Sequence, residues 1–107
     1  MARTKDEVIR IAREYGAVVS SVFEDVQVRL FGSYHSGKAN EHSDIDLAIV
    51  SSDFEDMDYF LSLKILNRLK IKICDEIEPV SMTPKDLVAP EIGSIESAIV
   101  KNSERVY

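Results

Sequence analysis

The sequence predicts a small α/β (α+β) fold, a mixed β-sheet flanked by helices. Three observations predict it. Apolar residues near the start recur at helical spacing, at Val8, Ile11, Ala12, Tyr15, Val18 and Val19. Two period-2 runs follow, Val26-Val28-Leu30 and Ile45-Leu47-Ile49. A second helical stretch then separates these runs from a third strand-like one around Ile77. The order α-β-turn-β-α-β-α builds a sheet covered by helices on one face or both.

Each element has its own local reason. The first helix is expected over residues 4–21, with Thr4 as N-cap and Glu7 completing a capping box. Gly16 is expected to interrupt its second half. In the first strand Val26, Val28 and Leu30 alternate with Gln27, Arg29 and Phe31, and the run ends at Gly32. Gly32-Ser33 and Gly37 predict a tight turn with a brief helical turn, and residues 40–43 a loop. The second strand is expected over residues 44–51. Ile45, Leu47 and Ile49 would face one way, with Asp44, Asp46 and Ala48 facing the other. The acidic stretch 53–58 suits a helix start, and the helix over 59–69 would turn Tyr59, Leu63, Leu66 and Leu69 inward. A third strand is expected over 71–82, with Cys74, Glu76 and Glu78 on one side and Pro79 marking either an edge or the strand's limit. Thr83-Pro84-Lys85-Asp86 signals a helix start, 91–101 a last helix, and residues 105–107 a sheet-edge extension.

Bulk properties narrow the function. A chain of 107 residues suits one domain, 1–107, with a real core. No apolar run approaches the ~20 residues of a membrane span, and the polar first residues resemble no export signal. The single cysteine, Cys74, allows neither an internal disulfide nor a multi-cysteine zinc site. These features predict a cytoplasmic protein away from membranes. A net charge of −6 with scattered Lys and Arg opposes a long nucleic acid as partner. A small metal-chelated phosphate is compatible, because the metal inverts the local charge logic.

The chemistry concentrates between Leu30 and Val50. Asp44 and Asp46 stand at i and i+2 of a strand, on one face and roughly 6.6 Å apart. Two carboxylates so placed can converge on a pair of hard cations, Mg²⁺ or Mn²⁺, with phosphate oxygens completing the shell. Without metal they repel, and one is expected to ionise late. A third carboxylate from the next strand would complete the set. Glu78 is the first choice and Glu76, on the same face, the alternative. Gly32 allows a backbone to approach a phosphate closely, and the Ser33 hydroxyl adds a donor. Taken singly, an Asp-x-Asp is as readily a loop edge and a Gly-Ser pair a turn.

Several neighbouring features carry less. Gly32 to Ala39 nearly spells a P-loop, but Ala39 occupies the hydroxyl position, and no long helix follows Gly37. His35 and His42 read as surface residues of a polar loop, and Cys74 as a buried strand residue. The acidic run at Asp53 lacks the glycine and terminal glutamate of a calcium loop.

Gly32-Ser33, ten residues, then Asp44-Ile45-Asp46 resembles the signature of the polymerase-β-like nucleotidyltransferase superfamily. Leu30-Phe31 and Ser43 make it most similar to the minimal nucleotidyltransferase branch, whose members are paired with HEPN-domain proteins in toxin–antitoxin operons. The resemblance implies that Asp44, Asp46 and Glu78 bind two Mg²⁺ ions (Mn²⁺ as substitute) and form the catalytic set. It implies that Gly32 and Ser33 hold the phosphates of an NTP, ATP by preference. Many relatives carry Arg where this chain has Tyr34, a loss of one phosphate cation. Lys38 could compensate for it at the nucleotide; the alternative is a solvated loop lysine. The implied activity is transfer of NMP to a hydroxyl of a HEPN-type partner, as the antitoxin of such a pair. The alternative is a non-catalytic module that neutralises its partner by occlusion. Oligomeric state is left open.

Overall fold

The structure, a computed structural model, describes residues 2–107. Thr4 sets the register of the first helix, α1 (Lys5–Ser20). Its hydroxyl accepts from the Glu7 N–H at 3.1 Å, and the Glu7 carboxylate accepts from the Thr4 N–H at 3.2 Å. This reciprocal box satisfies donors that the first turn leaves free. Val8, Ala12, Tyr15 and Val19 form the buried stripe. The Tyr15 hydroxyl donates to the Leu66 carbonyl at 2.7 Å, and burial pushes its phenol well above the ordinary range.

Four strands form one sheet in the order β3-β2-β1-β4. β1 (Gln27–Phe31) runs antiparallel to β2 (Ile45–Val50) and to the short β4 (Glu104–Arg105). β3 (Ile77–Met82) runs parallel to β2, reached through helix α3 (Tyr59–Lys70). Val28, Leu30, Ile45, Leu47, Ile49 and Ile77 point to one face and pack with α1 and α3. Ala48, Val50 and Met82 point to the other. They meet Leu87 of α4 (Pro84–Val88) and Ile99 of α5 (Ile95–Lys101). A four-residue helix, α2 (Ser33–Ser36), follows β1, and a 3₁₀ turn (Ser52–Asp56) precedes α3. Among the described residues no helix is long and apolar enough to cross a membrane.

The structure differs from the sequence expectation at several points. α1 runs through Gly16 without a break, because the Tyr107 ring lies directly on that glycine. Val28 binds the final residues, its carbonyl accepting from the N–H groups of both Val106 and Tyr107. The third strand begins at Ile77, not at residue 71. The N–H groups of Ile73 and Cys74 both turn back to the Lys70 carbonyl at 2.9 Å. A parallel partner obliges the chain to return to the sheet's starting end; α3 makes that return, and residues 71–76 turn the chain from it into β3. Cys74 is therefore half-buried in a turn, outside any strand. Tyr59 is 45% exposed, and Ser62 occupies the inner position instead, 2.7 Å from the Ser81 hydroxyl. The last helix starts at Ile95, capped by Ser94, whose hydroxyl accepts from the Ser97 N–H. Pro79 falls within β3, an edge strand, where its missing N–H costs no ladder bond.

The contact at Gly16 is directly testable. A Cβ added there would lie 2.6 Å from Tyr107 Cγ, so the ring must move. Gly16→Ala is expected to destabilise the protein by about 1–2 kcal/mol in urea unfolding, overpacking outweighing the gain in helix propensity. In a Tyr107→Ala background the same change is expected to stabilise.

Candidate active site

The site begins where β1 ends. Gly32 has φ 74° and ψ −154°, a region that side chains avoid. A Cβ at this position would collide with the Asp46 carboxylate, so the turn requires glycine twice over. The chain then enters α2, with the His35 and Ser36 N–H groups bonded to the Gly32 carbonyl at 3.1 and 3.0 Å. Gly37 closes the turn in the left-handed conformation. Ser33 opens α2. Tyr34 is buried at 6% exposure within the α1-side core, so the side chain at this position turns away from the carboxylates. His35 belongs to α2, not to a loop. It is half-buried, with Nδ1 3.7 Å from the Glu104 carboxylate.

Register places the carboxylates. Phe31 of β1, Asp46 of β2 and Glu78 of β3 form one row across the sheet, on the face opposite the α1 core. Asp44 stands just before β2, presented by a loop that bonds to itself. The Asn40 N–H donates to Ser43 Oγ at 2.8 Å, and the His42 N–H to Asn40 Oδ1 at 2.8 Å. The Ile45 N–H donates to the Glu76 carbonyl at 2.9 Å, tying the start of β2 to the approach of β3. Asp46 is half-buried; Asp44 and Glu78 are exposed.

The Asp46 carboxyl is held above the usual range, first by burial, then by the charges of Asp44 and Glu78. Gly32 lies directly against that carboxylate. Phe31, the cross-strand neighbour of Asp46, joins the apolar cluster of Val80, Leu87 and Val100 on that face. The alternation of Phe31 with Leu30 places it on the Asp46 side. Of the two glutamates left open, the structure sets Glu78 beside Asp46. Glu76 is committed to an ion pair with Arg3, which holds its carboxyl below the usual range, helped by the Cys74 thiol. Lys38 is exposed at the outer end of the turn. Its N–H bonds the Ser33 carbonyl at 3.0 Å, and it forms no ion pair with the three carboxylates.

The donor set suits a hard divalent ion. All three groups offer carboxylate oxygens, and the repulsion felt at Asp46 is what a cation would relieve. Among the described residues, no three His, Cys, Asp or Glu side chains stand close enough together to hold one metal ion.

The family model of the nucleotidyltransferase domain matches residues 9–106. The chain belongs to the nucleotidyltransferase domain family. No curated protein sequence matches it significantly. Two solved structures share the nucleotidyltransferase fold. A proposed nucleotidyltransferase from Sulfolobus solfataricus superposes with a TM-score of 0.69 at 21% identity, over 98% of this chain and 87% of that one. A structure described as a toxin–antitoxin with AMP-PNP superposes with a TM-score of 0.55 at 18% identity, over 98% of this chain and 73% of that one. Both likenesses extend over nearly the whole nucleotidyltransferase domain described here.

A carboxyl whose pKa is raised only in the folded state binds its proton more tightly there. The metal-free protein therefore loses stability as pH rises from the unfolded-state value, about 4, through the raised one. Asp46→Asn removes that loss. In EDTA at neutral pH it is expected to melt a few degrees above the parent, the gap closing as the pH falls to about 4. Differential scanning calorimetry across this range checks the sign.

Proposed function

We propose that the protein transfers a nucleotidyl group, AMP from ATP, to a hydroxyl of a partner protein, acting in the cytoplasm as the antitoxin of a toxin–antitoxin pair. The observation that carries this reading is the row Asp46–Glu78 with Asp44 beside it, closed underneath by Gly32. Membership of the nucleotidyltransferase domain family supports the reaction class. The neighbour described as a toxin–antitoxin with AMP-PNP supports an adenine nucleotide and a protein partner. Resemblance to the minimal nucleotidyltransferase branch makes a HEPN-domain protein the partner of choice.

Asp44, Asp46 and Glu78 would hold Mg²⁺, which, when bound, supplies positive charge to the phosphate oxygens. Asp46, already half-desolvated, fixes its carboxylate against the sheet. Asp44 reaches the same face from the loop. Gly32 lets the backbone approach a phosphate without a side chain intervening, and Ser33 offers a hydroxyl donor. The acceptor oxygen bonds to the α-phosphorus, and the α–β bridging bond breaks with its electron pair, leaving as pyrophosphate. The hydroxyl proton passes to Glu78, the exposed carboxylate, and from there to solvent. Positioning and charge neutralisation carry the catalysis.

The alternative, neutralisation by occlusion, uses the fold with the site idle. The inward Tyr34 favours it to the extent that it leaves phosphate binding short of a cation, and so does the lack, among the described residues, of three side chains gathered to hold a metal. One experiment separates the two. The protein is incubated with Mg²⁺, ATP labelled at the α-phosphate, and the product of the neighbouring gene. Label is expected on the partner, and Asp44→Asn with Asp46→Asn is expected to cut transfer by at least about 100-fold, the scale of losing a charge-stabilising group. Full neutralisation of the partner by the double variant would establish occlusion instead.

A further inference from the structure

The outer edge of α3 carries a feature unrelated to the carboxylates. Leu61, Ile65 and Leu69 line a shallow cavity of about 220 Å³, with Lys64 and Arg68 on its wall. Arg68 and Leu69 also line a second cavity of about 410 Å³, where α1 contributes Val18 and the turn after α3 contributes Ile71, Lys72 and Ile73. Because the two share residues, they form one continuous groove. Its helical part, from Leu61 to Lys70, is about 14 Å long, nearly three turns.

Two properties of this groove are out of keeping with the rest of the molecule. Its floor is apolar and accessible, with Leu61 48% and Ile71 67% exposed. Lys64 and Arg68 stand one turn apart on α3, and Lys72 follows in the turn beyond it, so all three line the wall of the groove. All three are exposed, and none pairs with a carboxylate among the described residues. In a chain of net charge −6, this is a cationic ridge without internal counterions.

We infer that this groove docks an amphipathic helix of a partner protein, its apolar stripe against Leu61, Ile65 and Leu69 and an acidic flank along Lys64, Arg68 and Lys72. A helix in a groove is read by apolar anchors at i, i+3, i+4 and i+7, and a length of nearly three turns fits that pattern. The cations choose the sign of the flank. A symmetric dimer through the same face would set each group of cations against its own copy, which disfavours a second copy as occupant. The apolar floor disfavours nucleic acid, which would be held by the cations alone. The inference stands on this surface and does not rest on nucleotidyl transfer.

The test uses the whole protein and a synthetic helical peptide of about 18 residues, long enough to hold its helix, with Leu on one stripe and Glu on both flanks. Two control peptides replace every Glu by Lys, or every Leu by Ser. Binding is followed by fluorescence anisotropy and mapped by amide NMR shifts. The Leu/Glu peptide is expected to bind at least about tenfold tighter than either control, with shifts confined to residues 61–73 and the end of α1. The K64E/R68E/K72E variant is expected to lose that affinity by tenfold or more and to prefer the Lys peptide. Circular dichroism verifies its fold, and the peptide charge swap needs no variant at all. Equal binding of the Glu and Lys peptides, shifts elsewhere, a dimer abolished by the charge reversal, or tighter binding of a single-stranded oligonucleotide than of the peptide would each overturn the proposal.

Discussion

The close approach of Gly32 to the Asp46 carboxylate is the constraint on which the rest of the site depends. β1 and β2 are antiparallel, and Phe31 opposite Asp46 is their last pair. The chain must leave β1 directly beside that carboxylate, in a conformation with φ 74° and with no room for a Cβ. Glycine alone meets both demands. This exit directs α2, turns Tyr34 into the core, and leaves the Asp46 side chain bracketed between the turn and Glu78 on β3. The same bracket half-desolvates Asp46 while two further carboxylates face it, so the fold sustains a group that its own electrostatics oppose.

The helices divide the remaining work. α1 and α3 cover one sheet face completely with apolar side chains. α4 and α5 cover the other over Ala48, Val50 and Met82, with Phe31 and Val80 packed at the edge of that cluster beside Asp46 and Glu78. Charge follows the same partition. The carboxylates gather where a phosphate-bound cation would compensate them, and the cations of α3 stand apart on the opposite layer. Two chemically distinct surfaces thus coexist on a small fold, one anionic and one both cationic and apolar.

Much of this was legible in the sequence, and the failures have physical causes. The capping box of Thr4 and Glu7, the alternation through Ile45, Leu47 and Ile49, and the glycine at the strand exit are local features, and local features survive folding. Residues 71–76 misread as strand because Ile71, Ile73 and Ile77 alternate, whereas the need to return for a parallel pairing is a property of the sheet. Gly16 read as a break because its reason lies at the far end of the chain, in the ring of Tyr107. Asp44 and Asp46 announced themselves by spacing, but the choice between Glu78 and Glu76 required the register of β3 and the ion pair with Arg3. Tyr34 read as a missing cation, and only its burial shows that its side chain points elsewhere. The α3 groove needed the structure, since its cations come from the helix and the turn beyond it.

The central claim is that Asp44, Asp46 and Glu78, with the Gly32 turn, form one site for a divalent cation and a nucleotide. Its most direct test follows backbone amide shifts as Mg²⁺ and a non-hydrolysable ATP analogue are added, separately and together. Shifts centred on Gly32, Ser33, Asp44, Asp46 and Glu78, large only when both are present and lost in Asp46→Asn, are the expected result. Shifts centred elsewhere, or binding undiminished in Asp46→Asn, would contradict it.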